Sequence, residues 1–288
     1  MMMSNRFELM PIAGMQEAAL ALPAGTTVTV TCSPRHGLER TLEATEWLVA
    51  SGFRAVPHLA ARWVRDADHL RQSLERLVAL GVDDAFVVGG DVERPVGDYP
   101  HGLSLLQAMD GLALRPARVG VPAYPEGHHA IADEALARDL VAKAELADYA
   151  VTQMCFEADP LLAWRRRQAR LGLSLPIYAG IPGVIEPRRL LTIAMRLGLG
   201  PSVRTLRRQT GWLGRLLRPS VFQPDALLEG VAPLLHDDSA GFAGLHVYTF
   251  NRVEPTRRWL AARRDLIRGG AGDASAAGVE ASAGEPLA

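Results

Sequence analysis

Residues 26–57 read TTVTVTCSPRHGLERTLEATEWLVASGFRAVP, and one structural unit is complete within them. A β-branched run, Thr26–Cys32, gives way to helical spacing over Leu38–Ser51, and Gly52 closes that helix before a second β-rich run, Arg54–Pro57. Strand, helix and strand in so short a span is the unit of a parallel sheet with crossover helices.

Outward from this unit the alternation continues until it has occurred eight times. The expected strands are Arg6–Met10, Thr26–Cys32, Arg54–Pro57, Ala85–Gly89, Arg118–Val121, Tyr149–Gln153, Leu175–Ala179 and Gly244–Tyr248. Amphipathic segments follow them at Met15–Leu22, Leu38–Ser51, Asp66–Leu80, Gly102–Met109, Ile131–Glu145, Pro160–Leu171, Pro187–Leu199 and Glu254–Ile267. Asp66 suits an N-cap, Pro160 and Pro187 suit first turns, and Gly81 closes a helix as Gly52 does. Eight such units predict a single-domain α/β fold over residues 1–268, a (β/α)8 TIM barrel. A doubly wound open sheet is the runner-up, but no G-x-G-x-x-G follows a strand. The stretch Gly200–Leu235 exceeds a normal crossover and reads as a helical insertion between strands seven and eight, with Arg204, Arg207, Arg208, Trp212, Arg215 and Arg218 on it. It is either a solvated face or an anion site near the mouth. Residues 269–288 lack a periodic apolar face and read as a disordered tail.

Composition narrows the function. With 288 residues, 31 Lys+Arg against 32 Asp+Glu, 48% hydrophobic residues and a mean hydropathy of +0.05, the chain has ample core and no polycationic surface. Nucleic acid is not an expected partner, the apolar runs are too short for a bilayer, and the expected location is the cytoplasm. A homo-oligomer is compatible with this composition. Cys32 and Cys155 form neither a disulfide framework nor a cysteine metal cage. Lys143 is the sole lysine among 31 cationic residues, and is either an undrifted helix lysine or a compact cation kept beside a phosphate or reactive oxygen.

In a barrel the chemistry gathers at the C-terminal ends of the strands. Polar residues collect there: Glu8, Thr31, His58, Gly90-Asp91, Tyr124 to His128, Thr152-Gln153 and Tyr248 to Arg252. Singly, each has a structural explanation, such as a cap for Asp91 or Thr31, a core histidine for His58, or a loop bond for Gln153. Together they describe a site. Glu8, flanked by Phe7, Leu9, Met10 and Pro11, is poorly solvated, which disfavours its charged form and suits a general acid. Asp91, in a Gly-Gly-Asp turn, suits orientation or electrostatic work. Lys143 lies in a helical run, against a Schiff-base role. His128-His129 lacks zinc-site spacing, and no G-x-S-x-G elbow is present. No metal is expected, although Glu8, His58 and Asp91 are conceivable ligands.

In their order these residues resemble the methylenetetrahydrofolate reductase family over roughly residues 6–265. Phe7-Glu8-Leu9-Met10-Pro11 is similar to the family's Phe-Glu-aromatic-Phe-Pro, Thr29-Val30-Thr31 to its Ser-Val-Thr, Pro57-His58-Leu59 to its Pro/Ala-His-Leu and Gly89-Gly90-Asp91 to its Arg-Gly-Asp. Tyr124-Pro125-Glu126-Gly127-His128 matches Tyr-Pro-Glu-x-His, Leu140 to Lys143 matches Leu-x-x-Lys, Thr152-Gln153 matches Thr-Gln, and Tyr248 to Arg252 matches Tyr-Thr-Leu-Asn-Arg. The resemblance implies reduction of 5,10-methylenetetrahydrofolate to 5-methyltetrahydrofolate, with Glu8 as general acid and Asp91 between pterin and cofactor. It places Gln153, Tyr248 and Arg252 on the folate, and Thr31, His58, Gly90, Tyr124, His128 and Lys143 at the family's flavin site. Two departures concern that flavin: Gly89 replaces the family arginine, and Leu136 replaces an acidic residue before the lysine. They imply weak FAD binding, or NAD(P)H as direct hydride donor. Direct transfer is favoured, and NADH over NADPH. A folate-dependent one-carbon transferase and a non-catalytic folate-binding protein are the alternatives.

Overall fold

The computed structural model describes residues 5–33, 35–196 and 221–268. Eight parallel strands close into a barrel in sequence order: β1 (Arg6–Leu9), β2 (Thr27–Val30), β3 (Arg54–Ala60), β4 (Asp84–Val88), β5 (Arg118–Ala123), β6 (Tyr149–Thr152), β7 (Ile177–Pro182) and β8 (Phe242–Tyr248). Around them lie α1 (Met15–Leu20), α2 (Gly37–Ala50), α3 (Ala67–Ala79), α4 (Gly102–Met109), α5 (Asp133–Ala144), α6 (Ala158–Arg170) and α7 (Pro187–Arg196). The ring of helices is completed by α8 (Asp225–Val231), α9 (Val253–Ala261) and α10 (Arg264–Arg268). The expected (β/α)8 barrel is the fold. The helix expected over Glu254–Ile267 is broken into α9 and α10, and α8 is an extra helix within the expected insertion. The arginines from Arg204 to Arg218 and the tail 269–288 lie outside the described residues.

Local chemistry accounts for the punctuation. Asp66 caps α3 by accepting from the His69 N–H at 2.8 Å, and Gly52 and Gly81 take φ of +83° and +68° where the chain leaves α2 and α3. His101 caps α4 in a reciprocal arrangement with Ser104, a role its residue type did not announce.

Strand alternation divides the core in two. Val28, Val30, Leu59, Val87, Val119, Val121, Leu245 and Val247 belong to a large apolar cluster with helix residues such as Leu42, Leu74, Leu105 and Leu161. Val56, Phe86, Tyr149, Val151, Tyr178 and Ala243 form a separate cluster inside the barrel. At its floor Arg6 is 1% exposed, with its guanidinium 4.1 Å from the ring centroids of both Tyr149 and Tyr178. Arg6 donates to Asp84 Oδ2 at 3.0 Å, and Tyr149 donates to Asp84 Oδ1 at 2.7 Å, so the buried charges are paired and hydrogen-bonded.

Tyr149 has room because Gly120 faces it across the β5–β6 pair, where they stand in register. A Cβ on Gly120 would come within 2.1 Å of the Tyr149 ring. Gly120→Ala is therefore expected to destabilise the fold by about 1–3 kcal/mol through overpacking. Urea unfolding should show a lower midpoint with an unchanged slope, whereas an unchanged midpoint would mean that Tyr149 is not held there.

Candidate active site

On β1, Arg6 and Glu8 share the inward face, Arg6 at the floor and Glu8 at the mouth. Glu8 is in register with Thr29 of β2 and Tyr248 of β8, so the strands that open and close the chain meet at this residue. Its side chain is 14% exposed. Glu8 Oε2 lies 3.1 Å from His246 Nε2 and 3.7 Å from His58 Nε2. A carboxyl thus sits between two buried imidazoles. Burial pushes the His58 imidazole down to about 4, assisted by His246 and opposed by the Glu8 carboxylate.

The backbone around Glu8 is held by the segment after β8. Thr249 Oγ1 donates to the Glu8 carbonyl at 2.6 Å and accepts from the Asn251 N–H at 3.1 Å. The Asn251 amide accepts from the Met10 N–H at 2.9 Å and donates to the Met10 carbonyl at 3.0 Å. Phe250 and Asn251 take φ of 51° and 60°, a left-handed turn that asparagine tolerates better than most residues and phenylalanine does not. The Tyr-Thr-x-Asn-Arg element is therefore also a clamp on the strand that carries Glu8.

Tyr248 donates to the Thr152 carbonyl at 2.9 Å, and Thr152 Oγ1 accepts from the Gly180 N–H at 2.8 Å. This ties the ends of β6, β7 and β8 together. A Cβ on Gly180 would lie 2.2 Å from the Thr152 carbonyl oxygen and 2.9 Å from the Tyr248 ring, so glycine is required for that approach. Gln153 follows, with its N–H on the Ala123 carbonyl at 2.7 Å and its Oε1 accepting from the Met154 N–H at 2.8 Å. Beside Tyr248, Met154, Phe156, Ile185 and Leu190 form a buried apolar cluster, with the partly exposed Phe222 and Phe250 packed against it.

A second group stands at the ends of β4 and β5. Gly90 takes φ of +93° and leads into the exposed Asp91. Tyr124 and His128 meet edge to face with centroids 5.2 Å apart. Burial first, then the charges of Asp91 and Asp139, push the Tyr124 hydroxyl up to about 12, while burial and His129 lower His128 against the pull of Asp91. Glu126, between them in sequence, is pushed up to about 7 by burial and by Glu157, opposed by the Phe156 backbone N–H.

The structure thus brings Glu8, His58 and Tyr248 together, with Gln153 next to them through Thr152, and groups Asp91 with Tyr124 and His128. Thr31 is half-buried, its N–H on the Leu9 carbonyl at 3.0 Å and its carbonyl accepting from Thr41 Oγ1 at 3.1 Å. Lys143 is buried and its ammonium is hydrogen-bonded to Asp139 one turn earlier. Arg252 is exposed and pairs with Glu186 at 2.9 Å. His246 is the residue that sequence reasoning missed. The signal was its place two residues before Tyr248, on the same face of one strand. Among the described residues no group of three His, Cys, Asp or Glu is arranged to hold a metal ion, and no helix is long and apolar enough to cross a membrane.

These features define a (β/α)8 barrel with an acid held at its mouth. The fold is shared with a class V chitinase from Pseudomonas fluorescens Pf-5, at a TM-score of 0.52 and 10% identity over 93% of this chain and 99% of that one. A chitinase from Rhizomucor miehei aligns over 91% of this chain and 99% of its own, at a TM-score of 0.49 and 9% identity. At 10% identity the likeness to the Pseudomonas chitinase is one of fold alone. Residues 12–196, well over half of the chain, match the family model described as methylenetetrahydrofolate reductase. The chain belongs to the methylenetetrahydrofolate reductase family.

Two expectations follow from this geometry. Because His58 titrates near 6.5 when unfolded and near 4 when folded, the unfolded chain binds more protons between those values, so stability rises from pH 4 to 6.5 and is level above. Chemical denaturation should lose on the order of 2 kcal/mol between pH 7.5 and pH 5 relative to His58→Gln, and parallel profiles would contradict the burial of His58. At Asn251, glycine restores the left-handed turn without the two bonds to Met10, whereas alanine loses both. Thermal melts should therefore rank wild type above Asn251→Gly above Asn251→Ala, and equal melts for the two variants would mean that the turn is unstrained.

Proposed function

We propose that the protein reduces 5,10-methylenetetrahydrofolate to 5-methyltetrahydrofolate, taking hydride directly from NAD(P)H. The observation that carries this reading is the Glu8 carboxyl, largely buried at the barrel mouth, hydrogen-bonded to His246 and flanked by His58. The substrate carries its one-carbon unit as a methylene bridge between two nitrogens in a five-membered ring. Glu8 protonates one of them, that C–N bond breaks, and the methylene is left as an iminium on the other. The nicotinamide then delivers hydride to this carbon, giving the methyl group and NAD(P)+. One proton from Glu8 and one hydride from the dinucleotide balance the step.

The surrounding residues suit the substrate. The rings of Phe222, Tyr248 and Phe250, partly exposed and backed by the buried Met154, Phe156, Ile185 and Leu190, offer an apolar surface for a flat heterocycle, and Gln153 supplies a polar group for its edge. Asp91, exposed at the end of β4, faces positive charge developing on the iminium. Arg252 stands on the rim, where a folate carboxylate could exchange with Glu186.

The residues at the other side of the mouth fit a resident FAD poorly. Gly89 brings no cation. Its neighbour Arg62 donates from its guanidinium to the carbonyls of Pro100 at 2.8 Å and Val92 at 2.9 Å, and Lys143 is paired with Asp139. Lys143 thus has its charge already paired, and Arg62 has two of its N–H donors committed to backbone carbonyls, which leaves fewer groups to retain a diphosphate. A dinucleotide that binds and leaves in each turnover needs less, and this supports NAD(P)H as a substrate, with NADH favoured over NADPH on the sequence reading.

The test is the visible spectrum of the purified protein, followed by addition of NADH and then of methylenetetrahydrofolate. A colourless protein that oxidises NADH only with the folate present is the expected result, and Glu8→Gln should reduce turnover at least about 100-fold while folate still binds. A flavin spectrum bleached by NADH would replace direct transfer with transfer through FAD. Folate turnover that consumes no NAD(P)H would make the protein a one-carbon transferase.

A further inference from the structure

A proton leaving the Glu8 carboxyl, whose side chain is 14% exposed, leaves a charge with little water around it, so a neighbouring donor matters. Three nitrogen and oxygen atoms from β1, β3 and β8 converge here: Glu8 Oε2, His58 Nε2 at 3.7 Å and His246 Nε2 at 3.1 Å. Only the second of these distances is a hydrogen bond. His246 is 1% exposed, and its other ring nitrogen, Nδ1, is buried with no hydrogen-bond partner among the described residues.

That asymmetry selects the tautomer. A proton on Nδ1 would be a buried donor with nothing to receive it, whereas a proton on Nε2 points at Glu8 and leaves only an acceptor unpaired, which is the more tolerable deficit. With Nε2–H donating to Oε2, the acidic proton of Glu8 belongs on Oε1. We infer that His246 is a positioning residue for the proposed reduction, holding Glu8 by Oε2 so that Oε1 delivers the proton, and stabilising the carboxylate that remains. The inference rests on the folate-reductase reading of the site. The hydrogen bond strengthens as Glu8 ionises, because a donor to a charged oxygen is worth more than one to a neutral acid. The effect is therefore felt in the transition state more than in the bound substrate.

The other groups facing Glu8 are silent around neutrality. His58 on β3 is held down to about 4 by burial, and Tyr248 on β8 is held well above its usual range by burial and by the Glu8, Cys155 and Tyr124 charges. Behind Tyr248, burial raises Tyr124 to about 12 and raises the Cys155 thiol as well. Glu126, pushed to about 7, faces Cys155 rather than Glu8, and its titration is common to every variant compared below.

The experiment compares wild type, His246→Leu and His246→Gln, the glutamine amide reaching where Nε2 does. With methylenetetrahydrofolate and NADH, His246→Leu should lose at least about tenfold in kcat with both KM values within about twofold, while His246→Gln keeps most of kcat. Equal kcat in wild type and His246→Leu would overturn the inference while leaving the reductase reading intact. If wild type itself does not turn over, the reductase reading fails, and the geometry is judged by 15N-histidine spectra of the wild-type protein. There, the signal lost in His246→Gln should be the Nε2–H tautomer at neutral pH and should shift in Glu8→Gln. An Nδ1–H tautomer would overturn the inference, as would a signal indifferent to Glu8.

Discussion

Everything at the mouth depends on the seam where β8 closes the barrel against β1. The seam is made of parallel pairing, Arg6 with His246 and Glu8 with Tyr248, and it is fastened above by Thr249 and Asn251. A carboxyl on the first strand acquires its hydrogen-bonding partner from the last. A shift of one residue in this register would turn Glu8 toward the helices and His246 away from it, because side chains alternate faces. The left-handed turn at Phe250 and Asn251 guards against such a shift, since its two bonds to Met10 can form only in one register.

Much of the fold was legible because each level of the sequence agrees with the next. The period changes from strand to helix, and glycines and a capping aspartate stand where the chain must change direction. Boundaries were harder. β3 runs to Ala60 rather than Pro57 because His58, Leu59 and Ala60 pair with Phe86, Val87 and Val88, a tertiary fact with no local mark. β8 likewise starts at Phe242, two residues before the sequence suggested, because Phe242 finds a partner in Ile177.

The site was legible where polarity breaks an apolar strand end, as at Glu8, His58 and Gln153. His246 escaped notice because it lies within a strand, where a single histidine reads as core, and its meaning arises only when a residue 238 positions away stands beside it. Asn251 and Thr249 were visible as part of a motif, but their bonds to the first strand and to Met10 were not. Lys143, singled out for its rarity, proves to be neutralised by Asp139, within its own helix. That pairing explains how an ammonium is tolerated in a buried place beside the first residues of α4, where a helix end repels cations.

The floor of the barrel carries a consequence of a different kind. Arg6, Asp84 and the two tyrosines fill the lower end with side chains that are themselves buried and bonded, so Glu8 meets solvent from the mouth side alone. On the reading proposed above, a molecule seated at the mouth would stand between that carboxyl and bulk water, and recharging of the spent acid would wait on its departure.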